Sequence, residues 1–359
     1  MAVREGGGRA VIDCDVHDEV PGVQALFPYL APHWVEYCRQ SAFHGPVDTA
    51  YPPRAPTTVS PLWRGAEPRA ASSVDAVQGQ LLDPLGVDLA ILTCTYAVES
   101  IHNPDTAAAM AAAVNDWQRV EWLDRESRLR ASIVVPSQQP EMAAAEIERV
   151  AADRRFVQVV VPVRSSMPYG NRHFHPLFEA AARHGLVVAL HFGGAPGNPP
   201  TGAGWPSYYL EDLVGMAQIF QSQLLSLIAE GTFDRFQELR VACVEGGFTW
   251  VPALLWRLDK EWKGLRRDVP WVRRPPSAYI RERVRFTTQP LDPPPGSGAL
   301  AELLAETDLA ELLLFATDYP HWHFDSLEQA VPAELPVARL DANARAFYPR
   351  LEAVKEAVP

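Results

Sequence analysis

The chain has 359 residues, 47% of them hydrophobic and 21% charged, which is enough apolar material for a large packed core and argues against a disordered chain. Its formal net charge is −12, and no basic run or basic–aromatic stripe is present, so nucleic acid is not expected as a partner. The start, Met1 to Gly8, has no apolar signal region, and no run approaches the ~18 apolar residues of a membrane span. A cytoplasmic protein with no membrane partner is therefore expected. Cys14, Cys38, Cys94 and Cys243 form no Cys-x-x-Cys pair and read as buried free thiols in a reducing compartment.

Residues 1–9 read as a flexible leader. A first strand is expected over about 10–17. Residues 20–73 have weak periodicity and many prolines, with Tyr51-Pro52-Pro53-Arg54-Ala55-Pro56 at the centre. That is too long for an ordinary connection, and it reads as an insertion folded over the mouth of the structure, with a short helix near Pro32–Gln40. It would serve as a lid or as part of a dimer interface. Ser73 can cap a helix over 74–85, which Gly86 would end.

From there the chain alternates regularly. Strands are expected at Asp88–Cys94, Arg130–Val135, Phe156–Val161, Leu186–His191, Arg240–Glu245, Val284–Thr288 and Leu312–Thr317. Helices are expected at Asp105–Arg128 with Asp105 as cap, Pro140–Asp153, Asn171–Arg183, about 210–230, Thr249–Trp262, Gly298–Ala305, Ser326–Val331 and Asp341–Tyr348. A Gly/Pro loop, Gly193 to Gly204, follows the fifth strand. The strands are continuous apolar runs, as in a parallel sheet covered on both faces. Eight such units predict one α/β domain over residues 1–359, a (β/α)₈ barrel with the 20–73 insertion. A doubly wound nucleotide-binding sheet would need a glycine-rich turn after the first strand, where Asp18-Glu19-Val20-Pro21 stands instead.

In such a barrel the active site lies at the C-terminal strand ends. Strand one ends in Asp13-Cys14-Asp15-Val16-His17, where period-two alternation puts Asp13, Asp15 and His17 on one face. Buried acids there need a partner, and a divalent cation is the simplest. Strand five ends in Leu190-His191-Phe192-Gly193-Gly194, strand six in Val244-Glu245-Gly246-Gly247, and strand eight in Thr317-Asp318-Tyr319-Pro320-His321. Taken singly, His191 reads as a core histidine and Asp318 as a turn cap. Metal-capable side chains at four strand ends point instead to one centre.

The stretches Ile12–His17, Leu190–Gly194, Glu245–Pro252 and Ala316–His321 resemble the amidohydrolase-2 family. This is the branch of the amidohydrolase superfamily that includes aminocarboxymuconate-semialdehyde and resorcylate decarboxylases. The resemblance covers about residues 10–350. It implies a distorted (β/α)₈ barrel, one divalent metal, usually zinc and in some members manganese, and a homodimer. Asp15 and His17 fall on the family's strand-one metal pair, His191 on its strand-five histidine and Asp318 on its strand-eight aspartate. Asp15 departs from the family's His or Glu, and Glu19 is a nearby alternate oxygen ligand. Glu245 stands where the family often has a catalytic histidine, and as an anion it would repel a substrate carboxylate.

The leading expectation is a hydrolase of a small organic substrate, an amide, ester, lactone or C–C bond. Asp15, His17, His191 and Asp318 would hold one divalent ion, zinc first, with manganese or iron(II) as alternatives. Asp318 would take the proton of an activated water, and Glu245 would orient the substrate or protonate the leaving group. The alternative is a non-oxidative decarboxylase or hydratase on the same scaffold, and a further one is a barrel that binds ligand without turnover. His321 is a candidate proton shuttle and His323 a pocket residue. Arg164 is a candidate partner for a substrate carboxylate, Trp205 part of an aromatic wall, and Gln289 a cavity residue. His173 and His175 read as packing or capping residues, and Trp250, Trp256 and Trp262, at helical spacing, as core or interface packing.

Overall fold

A computed structural model of the chain describes residues 11–47, 51–52, 58–194, 202–296, 298–330 and 333–352. The expected leader, the centre of the proline-rich insertion at 53–57 and most of the Gly193–Gly204 loop lie outside the described residues.

Eight parallel strands form a single sheet in sequence order: β1 (Ile12–Val16), β2 (Leu89–Leu92), β3 (Leu129–Val134), β4 (Phe156–Pro162), β5 (Val187–His191), β6 (Val241–Val244), β7 (Val284–Thr287) and β8 (Leu313–Leu314). Each expected strand is present: β5, β6 and β7 are shorter than expected by one or two residues and β1 and β2 by three, while β3 is shifted by one residue and β4 is one longer. The largest trimming is in β8, because the chain past Leu314 meets β1 by separate hydrogen bonds rather than a ladder. Cys14 N–H donates to Phe315 O (2.8 Å), Asp318 N–H to Asp15 O (3.1 Å) and His17 N–H to Tyr319 O (2.8 Å). These bonds bring the last strand back to the first, and the architecture is a (β/α)₈ barrel.

The apolar runs are buried on both faces, as parallel strands require. Inside the barrel, Ile12, Cys14, Ile91, Val187, Ala189, Ala242 and Leu314 pack with Phe347, Tyr348 and Leu351. The last helix, Val337–Phe347, and the residues after it therefore help to close the base, where the Tyr348 hydroxyl donates to Gln158 Oε1 (2.9 Å). A second and larger apolar layer lies between strands and helices. With the base filled, open space lies at the C-terminal strand ends.

Helix ends follow local chemistry. Ser73 accepts from Ala76 N–H (3.2 Å), and Gly86 leaves the helical segment with φ +69°, as expected. The alanine-rich helix, Pro104–Gln118, is capped by Asn103, not Asp105: the Asn103 side-chain Oδ1 accepts from Thr106 N–H (2.9 Å) and Pro104 takes the first turn. It continues as a wider π-turn to Leu123 and stops short of Arg128. A helix over Pro276–Arg283 has no counterpart among the expected elements. The expected helix Pro32–Gln40 forms. All four cysteines are free and buried.

The insertion meets three loops on the C-terminal rim. Val47 N–H donates to Ser100 Oγ after β2 (3.2 Å). The ring of Tyr51 packs at a tilt against Trp205, in the loop after β5, with centroids 4.7 Å apart. Ser60 N–H donates to Pro320 O after β8 (2.9 Å). Among the described residues, no helix is long and apolar enough to cross a membrane.

Candidate active site

The strand ends converge as the barrel rule requires. Asp15 is fully buried, and neither of its carboxylate oxygens has a hydrogen-bond donor. Burial pushes its carboxyl up to about 6, because the anion has lost water without an equivalent partner. His191 ends β5. Its Nδ1–H donates to its neighbour's carbonyl, Phe192 O, at 2.8 Å. That bond fixes the tautomer and leaves Nε2 with a lone pair, buried and without a partner. Nε2 lies 3.8 Å from Asp15 Oδ1 and 3.6 Å from Glu245 Oε2. Burial lowers the His191 imidazole to about 4, so it is neutral and able to ligate.

Asp318 is the hub on the other side. His17 Nε2 (2.9 Å) and His321 Nδ1 (3.0 Å) meet its Oδ1, and His323 Nε2 meets its Oδ2 (2.6 Å). Burial alone would raise this carboxyl, but the imidazoles of His321, His17 and His323 outweigh it and hold Asp318 well below the ordinary carboxylate range. Glu245 goes the other way. Burial, then the charges of Asp318 and Asp15, raise its carboxyl well above the usual value. Asp318 and Glu245 both have left-handed backbone, φ +54° and +59°. Non-glycine residues adopt it at a cost, and the surroundings must hold them there.

Two ligand sets overlap at His17. Asp15, His17 and His191 form one, and His17, Glu245, Asp318 and His321 the other, with donor atoms in each set within 4.8 Å of one another. The four residues expected as ligands are divided between these sets, Asp15 and His191 in the first and Asp318 in the second beside Glu245 and His321, with His17 common to both. Mixed carboxylate and imidazole donors, including three buried atoms without any partner, fit a divalent ion such as zinc, manganese or iron(II).

A small, partly open cleft lies beside His191, across the ends of β2 to β5. Its walls include Cys94, Tyr96, Glu99, Val134, Pro162 and Phe192. Of the sequence candidates, His323 joins the cluster through Asp318. Trp205 lies about half-exposed under Tyr51. Arg164 is buried and ion-paired with Asp212 on the helix Tyr209–Ala229, so it already has an internal counter-ion. Gln289 must be corrected. Its amide donates to Ala330 O (3.5 Å) and accepts from Leu291 N–H (3.0 Å), ordering the loop after β7 instead of lining the cavity. Glu19 is a further correction, because it pairs with Arg69 at 3.0 Å near the surface.

Asp13 does not join the metal-capable cluster either. The register of β1 slips between Asp13 and Val16, which breaks the simple alternation. Its carboxylate accepts from Thr317 N–H (3.0 Å), Thr317 Oγ1–H (2.6 Å) and Asp15 N–H (3.2 Å). Thr317, Asp212 and the cleft residues of β2 to β4 were not legible as site residues. For Cys94 to Tyr96 a signal exists, since they lie just past the C-terminal end of a barrel strand.

Comparison with known proteins agrees with the geometry. The gamma-resorcylate decarboxylase of Rhodococcus jostii (strain RHA1) is 28% identical over 278 residues, 72% of this chain and 79% of that protein. The crystal structure of 5-carboxyvanillate decarboxylase from Sphingomonas paucimobilis superposes with TM-score 0.67 at 21% identity, covering 95% of this chain and 99% of the other. A dihydroxybenzoic acid decarboxylase from Polaromonas sp. JS666, with bound manganese and the inhibitor 2-nitroresorcinol, superposes with TM-score 0.65 at 19% identity, covering 95% and 97%. At these identities the two structures establish the shared fold. The amidohydrolase family model (amidohydrolase-2) matches residues 12–350, nearly the whole chain, and the chain belongs to that family.

Proposed function

We propose that the protein is a metal-dependent, non-oxidative decarboxylase of a hydroxylated aromatic acid. The observation that carries this reading is the match to gamma-resorcylate decarboxylases, which reaches over 72% of the chain. The hydrolase expected first from the sequence has no comparable support and becomes the competing outcome. Asp15, His17, His191 and Asp318 would hold the ion, with zinc and manganese the metals to test first. When bound, the ion supplies positive charge against the acid and phenolic oxygens of the substrate.

In the reaction the bond from ring to carboxylate breaks, CO₂ leaves, and its electron pair stays on the ring carbon, which takes up a proton. Glu245 is the acid placed to hold that proton, buried beside His191 and 3.9 Å from His321 Nδ1. His321 is partly exposed, so it links Glu245 to solvent for the proton's return. Val134, Val160, Pro162 and Phe192 give the cleft apolar walls suited to a flat ring. The Arg164–Asp212 pair, His323 and Trp205 are proposed substrate contacts around it. The insertion is proposed as a lid, and a cytoplasmic homodimer as the working unit.

The test is turnover by zinc- or manganese-loaded protein on 2,6-dihydroxybenzoate and related hydroxybenzoates. CO₂ release with one equivalent of decarboxylated arene, abolished by chelation, is expected. Hydrolysis of an amide, ester or lactone panel, without CO₂ release from any of these acids, would overturn the reading in favour of a hydrolase.

A further inference from the structure

The candidate ligands come from opposite ends of the chain. Asp15 lies on β1, His17 directly after it, and Asp318 just past β8. The seam between these strands has no continuous ladder, because β8 is two residues long and the chain after it reaches β1 through separate hydrogen bonds. Asp318 also sits in a left-handed conformation that its own residue type disfavours. Something must hold that turn in place.

Asp13 sits across this seam. It is fully buried, and none of its carboxylate bonds goes to the metal-capable residues' side chains. One oxygen accepts the backbone N–H groups of Thr317 and Asp15, at 3.0 and 3.2 Å, and the other accepts the Thr317 hydroxyl at 2.6 Å. Thr317 Oγ1 in turn accepts Tyr319 N–H (3.3 Å), which spans the Asp318 turn. A single carboxylate thereby ties the residue before Asp318 to the backbone of Asp15. A buried acid is costly, and three hydrogen bonds to two ligand-bearing segments are what it returns for that cost.

We propose that Asp13 is a positioning residue of the metal centre, setting Asp318 through Thr317 and Asp15 through its backbone. The inference rests on the metal centre proposed above and not on the identity of the substrate. It does not require Asp13 to touch the ion.

The test measures metal affinity without substrate. Full-length protein is stripped with chelator and titrated with zinc or manganese against a chromophoric competitor, and thermal melts are recorded with and without the ion. Asp13→Ala and Thr317→Val are expected to weaken binding by about 10–100-fold, the usual effect of removing a group that orients a ligand. Asp13→Asn keeps an acceptor for the two N–H groups, and Thr317→Ser keeps the hydroxyl, so both are expected to stay close to wild type. Val157→Ala, in the apolar packing at the base of the barrel, serves as a destabilised control and should keep its affinity. If Asp13→Ala fails to fold, Thr317→Val carries the test. Wild-type affinity in the truncating variants, or an equal loss in Val157→Ala, would overturn the proposal. A wild-type chain that binds neither metal would overturn it together with the centre, whereas normal metal binding without CO₂ release would remove the substrate reading alone.

Discussion

Glu245 and Asp318 are two carboxylates at strand ends, both with positive φ, and their surroundings send them in opposite directions. Asp318 is ringed by three imidazoles and stays ionised. Glu245 faces the other acids and is driven toward its neutral form. In the proposed reaction this difference would separate an anchoring anion from a proton carrier, as in other sites where paired carboxyls are pushed apart. A glutamate kept protonated at this position would not repel a substrate carboxylate. Glu245→Gln is expected to keep its metal and lower kcat by about 10²–10⁴-fold, the usual contribution of a positioned acid. Metal analysis beside steady-state kinetics checks this. An unchanged kcat would remove Glu245 from the chemistry, and loss of metal would make it a ligand.

At the scale of elements, the turn between the Pro104–Leu123 helical segment and β3 shows how a local charge replaces a helical turn. Glu126 accepts from Arg128 N–H (3.0 Å) and pairs with the Arg128 guanidinium (2.8 Å), and Gln78 also donates to it. The Arg128 hydrogen bond holds its carboxyl down, at about 2 against an ordinary 4.5, despite partial burial. A carboxyl depressed by folding adds stability above its unfolded value. That contribution is lost as pH falls from about 4.5 through about 2. Urea melts of wild type and Glu126→Gln should therefore differ most near neutrality and converge across that window. Curves that stay parallel down to pH 2 would contradict the assignment. The same turn explains why the helix is shorter than its alanine-rich composition suggests. Helix propensity favours continuation, but the Glu126–Arg128 contact favours turning into the strand.

For the whole molecule, the base and the rim have separate tasks. The base is closed by the C-terminal helix, with Phe347 almost fully buried and the Arg285 guanidinium 5.1 Å from its ring centroid. Phe347→Ala is expected to cost about 3–5 kcal/mol of stability while leaving metal affinity unchanged. Denaturant melts and metal titration together test the separation. A large loss of affinity in a variant that is still folded would show that base packing reaches the site. The rim carries the candidate ligands, the cleft and the insertion. Its contacts with the loops after β2, β5 and β8 place the insertion where it can cover the cleft.

Asp15, His17, His191 and Asp318 were legible in the sequence because a parallel barrel places its strand ends on one face, so a list of strand ends is also a list of neighbours. Eight apolar runs in regular alternation with helices were enough to establish that barrel. Glu245 and His321 were legible for the same reason, although their nearness to the ligand set was not. The sequence carried no sign that Asp13 faces Thr317, because a register slip in β1 overrides simple alternation. Nor could it show that Arg164 pairs with Asp212, that Gln289 orders its own loop, or that the seam between β1 and β8 consists of isolated bonds. Periodicity and residue type report how each segment sits on the core. Which buried polar groups meet across about 300 positions of chain, as Asp13 and Thr317 do, is decided only when the barrel closes.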